Sequence, residues 1–326
     1  MERFVLVTAI TLALLYAAWH FWGAPSLTFA SDDEGFHGAE AVLPGQAGHS
    51  AQTYVANSIE IVHAAAHVQV IPEDRTDISL EITNPSRAPM PAVTLANGVV
   101  RVDGHFRGRI QGCDDSGARV RGYGVLTPAD LTQIVVHTPR TLTVKLGGAV
   151  SSTIGATRGL HADMSGCGDS QIADVAGPLN LEVAGSGDVH AGAVQGLDVD
   201  LAGAGHVFMG NVTDHAKISA AGAGQLTLAA LTGSLESEDA GSGSLTIQGG
   251  AITTAHIELA GSGNARIAAP IQNLHAEIVG VGNVDVTNTV GDLYGEIAGP
   301  GSVHVQAATG SIRRDIMGPG QVVVGR

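Results

Sequence analysis

Apolar and polar residues alternate in the second half of this chain, in short bursts that return at a nearly constant spacing. Leu179, Leu181 and Val183 are apolar around polar Asn180 and Glu182; the pattern returns at Leu197, Val199, Leu201 and again at Leu274, Ala276, Ile278. Strict period-2 alternation predicts a strand with one buried face. Each burst ends in a Gly-x-Gly triplet. The triplets begin at Gly166, Gly185, Gly203, Gly222, Gly241, Gly261, Gly280, Gly299 and Gly318, in steps of 18 to 20 residues. Four and six residues past the first glycine the chain is apolar again, as at Val207 and Met209, Leu226 and Leu228, Val284 and Val286. Each unit therefore reads strand, glycine turn, strand, then a short stretch rich in Gly, Ala and Thr. A fixed period marks a repeat architecture, and this period is too short for a repeat that contains helices. The expected fold is all-β: a single-stranded parallel β-helix, or solenoid, with coils of about 19 residues. It should be right-handed, as parallel crossovers are, and irregular β-rich N-terminal rungs should precede it. The paired glycines would supply φ > 0 or close backbone approach where the coil corners.

Four segments follow from the same reading. Phe4 to Trp22 is an apolar run after Arg3 and before Asp32, Asp33 and Glu34, and residues 1–30 read as a hydrophobic export segment. The run is long enough to span a bilayer, with Trp19, Phe21 and Trp22 suited to the interface. Thr28-Phe29-Ala30 also suits signal cleavage. Two locations stay open: anchored in the inner membrane and facing the periplasm, or periplasmic or extracellular after cleavage. Residues 31–52 read as a flexible tether, 53–147 as an irregular β-rich cap, and 148–326 as the regular coils. In the cap, Ile59–Val70, Ile78–Ile82, Val99–Val102 and Ile134–Leu146 are candidate strands, and Asn97-Gly98 is a hairpin signal.

The recurring cassette, as in Ala260-Gly261-Ser262-Gly263-Asn264 and Val279-Gly280-Val281-Gly282-Asn283-Val284, resembles the "putative auto-transporter adhesin, head GIN domain" family over roughly residues 53 to 326. That resemblance implies a pectin-lyase-like β-helix shape, no recognised catalytic set, and a role in adhesion. Gln225, Ser244 and Gln321 stand where the family favours Asn, so an unbroken Asn ladder is not expected.

Composition agrees with a thin scaffold. The chain has 45 glycines and 4% aromatic residues, so no large ring-filled core is expected. Its net charge of −15 argues against nucleic acid and anionic membrane surfaces as main partners. An envelope polymer or protein ligand is the expected partner, besides the membrane at the N-terminal segment.

Candidate chemistry lies in the columns that stacking creates. The residues three before each first glycine are Asp163, Glu182, Asp200, Ser219, Glu238, Glu258, Glu277, Glu296 and Asp315. In-register stacking would set neighbours roughly 4.8 Å apart, where unit charges repel by about 0.9 kcal/mol even in water. Such a row attracts cations or raises pKa values. The next outward column reads His161, Asn180, Asp198, Lys217, Glu236, His256, His275, Tyr294, Arg313. Three uses remain open. The row is a solvated face that deters strand pairing, a cation site, or a docking stripe for a basic partner. The cation would be Ca²⁺ at oxygen-rich rungs, or a transition metal where His256 and His275 meet Glu258 and Glu277. No other cofactor is expected.

Asp239 breaks the inward pattern held by Val183, Leu201, Leu259 and Ile278; local re-registration of its rung is the favoured reason, a functional irregularity the alternative. Arg101, Arg107, Arg109, Arg119 and Arg121 cluster in a glycine-rich stretch, either as a loop for a sugar acid or as a solvated loop. Cys113 and Cys167 are the only cysteines. Export and an even count favour a disulfide over two free thiols, tethering the arginine loop to the first regular rung. The chain has no Gly-x-Ser-x-Gly elbow, His-Glu-x-x-His or phosphate-binding Gly-x-x-x-x-Gly-Lys. The expectation is a non-enzymatic, exported adhesion or ligand-binding scaffold; the alternative is a lyase or hydrolase of acidic polysaccharide. Val322 and Val324, near the end of the sequence, suggest weak self-association there.

Overall fold

The computed structural model of the protein describes residues 42–114 and 116–325. The apolar run 4–22 and the first half of the expected tether lie outside the described residues. Among those described, the helical element is one 3₁₀ turn, Pro128–Asp130. No helix there is long and apolar enough to cross a membrane.

The chain winds into a β-solenoid of about 10 turns, with coils roughly 19 residues apart. Pairing is parallel and in register: Leu179 lies between Leu160 and Leu197, and Glu182 between Asp163 and Asp200. The alternation read from the sequence sets which side chains enter the core. Leu179, Leu181, Leu197 and Val199 are essentially fully buried, and so are Val207, Leu228, Val284 and Val286 from the strands after the corner. Burial of these branched aliphatics on the coils above and below is the main force holding the stack together.

The two glycines of each triplet do different work. Eight of the nine first glycines hold φ between +118° and +152°, Gly241 being the exception. At Gly203, with φ of +137°, an added Cβ would also stand 2.4 Å from the carbonyl oxygen of Gly185. The second glycine is needed for space. A Cβ on Gly224 would meet Leu201 Cδ2 at 2.7 Å, and one on Gly301 would meet Ile278 Cγ2 at 2.7 Å. From Gly224 onward the second glycine thus lies over an inward side chain, whereas Gly168, Gly187 and Gly205 lie against backbone of the coil before.

The stack begins earlier than the glycine period shows. Thr141–Ile154 runs through the boundary expected at 147/148 and pairs in parallel with both Gly159–Cys167 and Ser58–Glu73. Ser58–Glu73 has no triplet. At its corner it carries one extra residue relative to Leu146–Gly148, and His63 adopts φ of 51°. Val99–Asp103 and Thr132–Pro139 pair in parallel with the two halves of Ser58–Glu73. Antiparallel strands then close this end: Ala92–Ala96 against Val99–Asp103, and Gly48–Tyr54 against Ile78–Asn84. Asn97 and Gly98 have φ of 52° and 76°, the left-handed pair a tight hairpin needs. The run Ile134–Leu146, expected as one strand, is two; Pro139, which has no N–H to donate, ends the first. Residues 48–52, expected within the tether, are strand, steadied nearby by Asn84 Nδ2, which donates to Gln46 O at 2.8 Å.

Beside the solenoid sits a small antiparallel sheet of Ile110–Asp114, Gly117–Val120 and Gly124–Leu126. Its own core gathers Phe106, Ala118, Val120 and Leu126 against Ala65 and Ala149 of the coils. Cys113 and Cys167 are joined here as a disulfide, with Cα atoms 5.7 Å apart. At the other end, all six residues of Ile312–Met317 are exposed. Register places Arg314 opposite Gly295, in the column that buries Ile257 and Ala276 in earlier coils.

The expected re-registration at Asp239 is corrected. The coil spacing of 20 residues is absorbed at Thr253, which falls between the pairs Gly233–Ile252 and Ser234–Thr254, and Thr253 Oγ1 donates to Gly233 O at 2.9 Å. Asp239 keeps its inward place between Ala220 and Leu259. It is only 9% exposed, and its Oδ1 has no hydrogen-bond partner. Ser237, the previous inward residue, is buried too.

Candidate functional site

The solenoid's outward face carries the acidic column in unbroken register. Asp163, Glu182, Asp200, Ser219, Glu238, Glu258, Glu277, Glu296 and Asp315 each pair with the next. The column also runs on above the repeats, through Lys145 and Glu60 to Arg101. Lys145 Nζ lies 3.2 Å from Asp163, and Arg101 2.8 Å from Glu60. Charge therefore alternates at the capped end and becomes acidic farther along. The sequence did not reveal this extension because these rungs have no triplet to align on.

The second column partners the first. Along each strand, residues two apart share the outward face, so a ring meets a carboxylate on three successive coils. His256 Nε2 lies 2.7 Å from Glu258 Oε1, His275 Nε2 3.1 Å from Glu277 Oε1, and Tyr294 donates its hydroxyl to Glu296 at 3.1 Å. Across the strands the His256 and His275 rings are 4.6 Å apart, as are those of His275 and Tyr294. Arg313 lies 6.0 Å from the Tyr294 ring centre. The three rings and three carboxylates make a grid two residues wide and three coils long.

Electrostatics divide the row. The Glu258 carboxylate beside His256 raises the imidazole's pKa. Contact with His275 lowers that of Glu277. Burial, then repulsion from Glu258, raises Glu238, and burial raises Glu296. Lys217 is held charged by Glu236, 3.2 Å away. Ca²⁺ prefers six to eight oxygens, whereas these carboxylates are largely engaged by imidazole, hydroxyl and ammonium groups.

Beside the grid runs an open groove of about 1050 Å³, lined by residues from His215 to Arg313 and including Glu236, His256, Asn273 and Tyr294. Its far wall is a third column, seven residues before the glycine, that sequence reasoning passed over: His215, Ser234, Thr254, Asn273, Asp292 and Ser311. A run of small polar residues at one repeat position was the available signal.

The arginines do not form one group. Arg101 lies on the main sheet, paired with Glu60. Arg119 is on the small sheet, 3.8 Å from Asp114, and the Arg121 amide donates to the Arg109 carbonyl at 2.8 Å. Arg107 is exposed. A partial polar ladder stands past the corner, where Asn283 donates to Asn264 at 3.1 Å and Ser302 to Asn283 at 2.7 Å.

Together these features define a capped β-solenoid with a charged, ring-bearing face. Residues 209–308 match the family model described as "putative auto-transporter adhesin, head GIN domain", in keeping with the resemblance carried by the glycine cassette. No curated protein matches the chain. Solved structures that resemble it include one described as a putative adhesin from Parabacteroides distasonis, 16% identical, covering 86% of this chain and 98% of that one with a TM-score of 0.43. A second from that organism is described as a putative lipid binding protein (16% identity, 84% and 99% coverage, TM-score 0.46). A third, described as a putative adhesin, is from Bacteroides fragilis (16% identity, 73% and 97% coverage, TM-score 0.44).

Proposed function

We propose that the protein is an exported, non-enzymatic adhesion module that holds an extended envelope ligand along the outward face of its solenoid. The observation that carries this reading is repetition: one carboxylate column and one ring-bearing column run in register past a groove that spans six coils. A catalytic site concentrates unlike residues around one bond, whereas this face repeats a carboxylate on nearly every rung. Half-buried carboxylates, imidazoles and a tyrosine along this face suit a hydroxyl-rich or basic chain, with hydrogen bonds along its length and stacking on Tyr294. The family match over residues 209–308 supports the adhesive character.

The test is calorimetric titration with soluble fragments of envelope glycans and with basic peptides, comparing the natural chain with Tyr294→Ala and Glu236→Gln. Saturable binding weakened at least fivefold by these changes is expected. Binding unaffected by both removes the groove from the reading. Product release from acidic polysaccharides, followed by chromatography, would replace the scaffold with the lyase or hydrolase.

A further inference from the structure

Within the grid, one pair of atoms has an arrangement that a solvated surface does not require. His256 Nδ1 and His275 Nδ1 face each other at 3.1 Å. Both are basic lone-pair positions, and a single proton between them satisfies the pair only by making one imidazole a donor to the other. The outer nitrogens differ. His256 Nε2 is fixed by Glu258 at 2.7 Å. His275 Nε2 is buried and has no aligned hydrogen-bond partner, although Glu277 is only 3.1 Å away. Glu277 is therefore paired with His275 at contact distance but outside an aligned hydrogen bond. One ligand atom from each of His256, His275 and Glu277 falls within 4.8 Å of the other two.

We propose that His256, His275 and Glu277 form a binding site for a divalent transition metal of the Zn²⁺, Ni²⁺ or Cu²⁺ class. Two nitrogens 3.1 Å apart, each 2.0–2.1 Å from a shared zinc, subtend about 98° at the metal, between octahedral and tetrahedral values. Glu277, now 3.1 Å from His275 Nε2 and within 4.8 Å of a ligand atom of each histidine, turns from that nitrogen to supply the oxygen ligand. Glu258 acts as a positioning residue: accepting from His256 Nε2–H, it fixes the tautomer that leaves Nδ1 free for the metal, the outer-carboxylate arrangement common to ligating histidines. Imidazole ligands select these metals over Ca²⁺ and Mg²⁺, which take oxygen. Both histidines line the groove, and the bound ion joins two adjacent coils. This inference does not depend on the adhesive reading, because its test uses the metal alone.

Calorimetric titration of the full chain with ZnCl₂ at pH 7.5 is expected to show one saturable site of low-micromolar affinity. His275→Gln, His256→Gln and Glu277→Gln should each weaken it at least tenfold, and Glu258→Gln by a smaller factor. Millimolar Ca²⁺ should not compete. The natural chain loaded with Co²⁺ gives a second readout, independent of how the variants fold: its visible absorption should differ in shape and intensity from that of aqueous Co²⁺. Absence of saturable Zn²⁺ binding, wild-type affinity in a folded His275→Gln, equal competition by Ca²⁺, or a Co²⁺ spectrum identical to the free ion would each overturn the proposal.

Discussion

Asp239 is a carboxylate where its neighbours along the column are Leu201, Ala220, Leu259 and Ile278. Burial raises its pKa above the ordinary carboxylate value. The folded chain therefore keeps this proton to higher pH than the unfolded chain does. Stability from this residue is greatest below the unfolded value of about 3.9; it falls as pH rises through the folded value and stays low beyond it. Asp239→Val should raise the unfolding free energy at pH 7.5 by about 1–3 kcal/mol and flatten that slope, as read from urea melts at pH 5 and pH 7.5. A variant no more stable than the natural chain would show that the carboxylate is satisfied in solution. Glycine gives the second residue-scale expectation. Gly203→Ala combines φ of +137° with a 2.4 Å backbone contact and should cost about 2–4 kcal/mol. Gly98→Ala, with φ of +76° and nothing within 4 Å, should cost about 1–2 kcal/mol. Equal losses would mean that crowding between coils contributes nothing.

Strands differ in how far sequence alone discloses them. Leu179, Leu181 and Val183 were legible because their glycine corner recurs eight more times and their apolar pattern before five of those. Ser58–Glu73 was legible as a strand of an irregular rung but not in its pairing: its partner, Thr141–Ile154, lies some eighty residues on, and a bulge at His63 replaces the glycine. The acidic column could be read residue by residue, since position relative to the triplet fixes outward direction. The groove could not, because it exists only where strands of six coils lie side by side. Among the arginines, strand pairing sends Arg101 to the main sheet and Arg119 to the small one, a separation that proximity in sequence does not disclose. That small sheet buries few large side chains, so its attachment should depend on the disulfide. Closing a loop with a sequence separation of 54 residues is worth about 4 kcal/mol in the chain-entropy model. Cys113→Ser should accordingly lower the melting temperature and expose residues 110–126 to protease first. Two reactive thiols in the denatured, unreduced natural protein would remove the bridge and this expectation together.

Across the described residues, the solenoid differs at its two ends. Antiparallel strands cover one end, while at the last described coil Arg314 occupies the core-facing column and Ile312, Ile316 and Met317 remain exposed. A charge on an otherwise apolar end deters stacking of a second copy. Arg314→Leu should therefore strengthen self-association at least several-fold in sedimentation experiments, and an unchanged association constant would show that the end is not guarded by this residue. The rung holding Ser237 and Asp239 has a wider consequence. In a stack where each coil touches only its neighbours, cooperativity passes through every rung in series, and this rung is the poorest in apolar burial among those around it. Pulled from its two ends, the solenoid should part first beside Asp239. The coils beyond Gly241 would then unravel as one block and leave the disulfide-pinned half intact, giving two steps in a force trace where a uniform stack would unwind coil by coil.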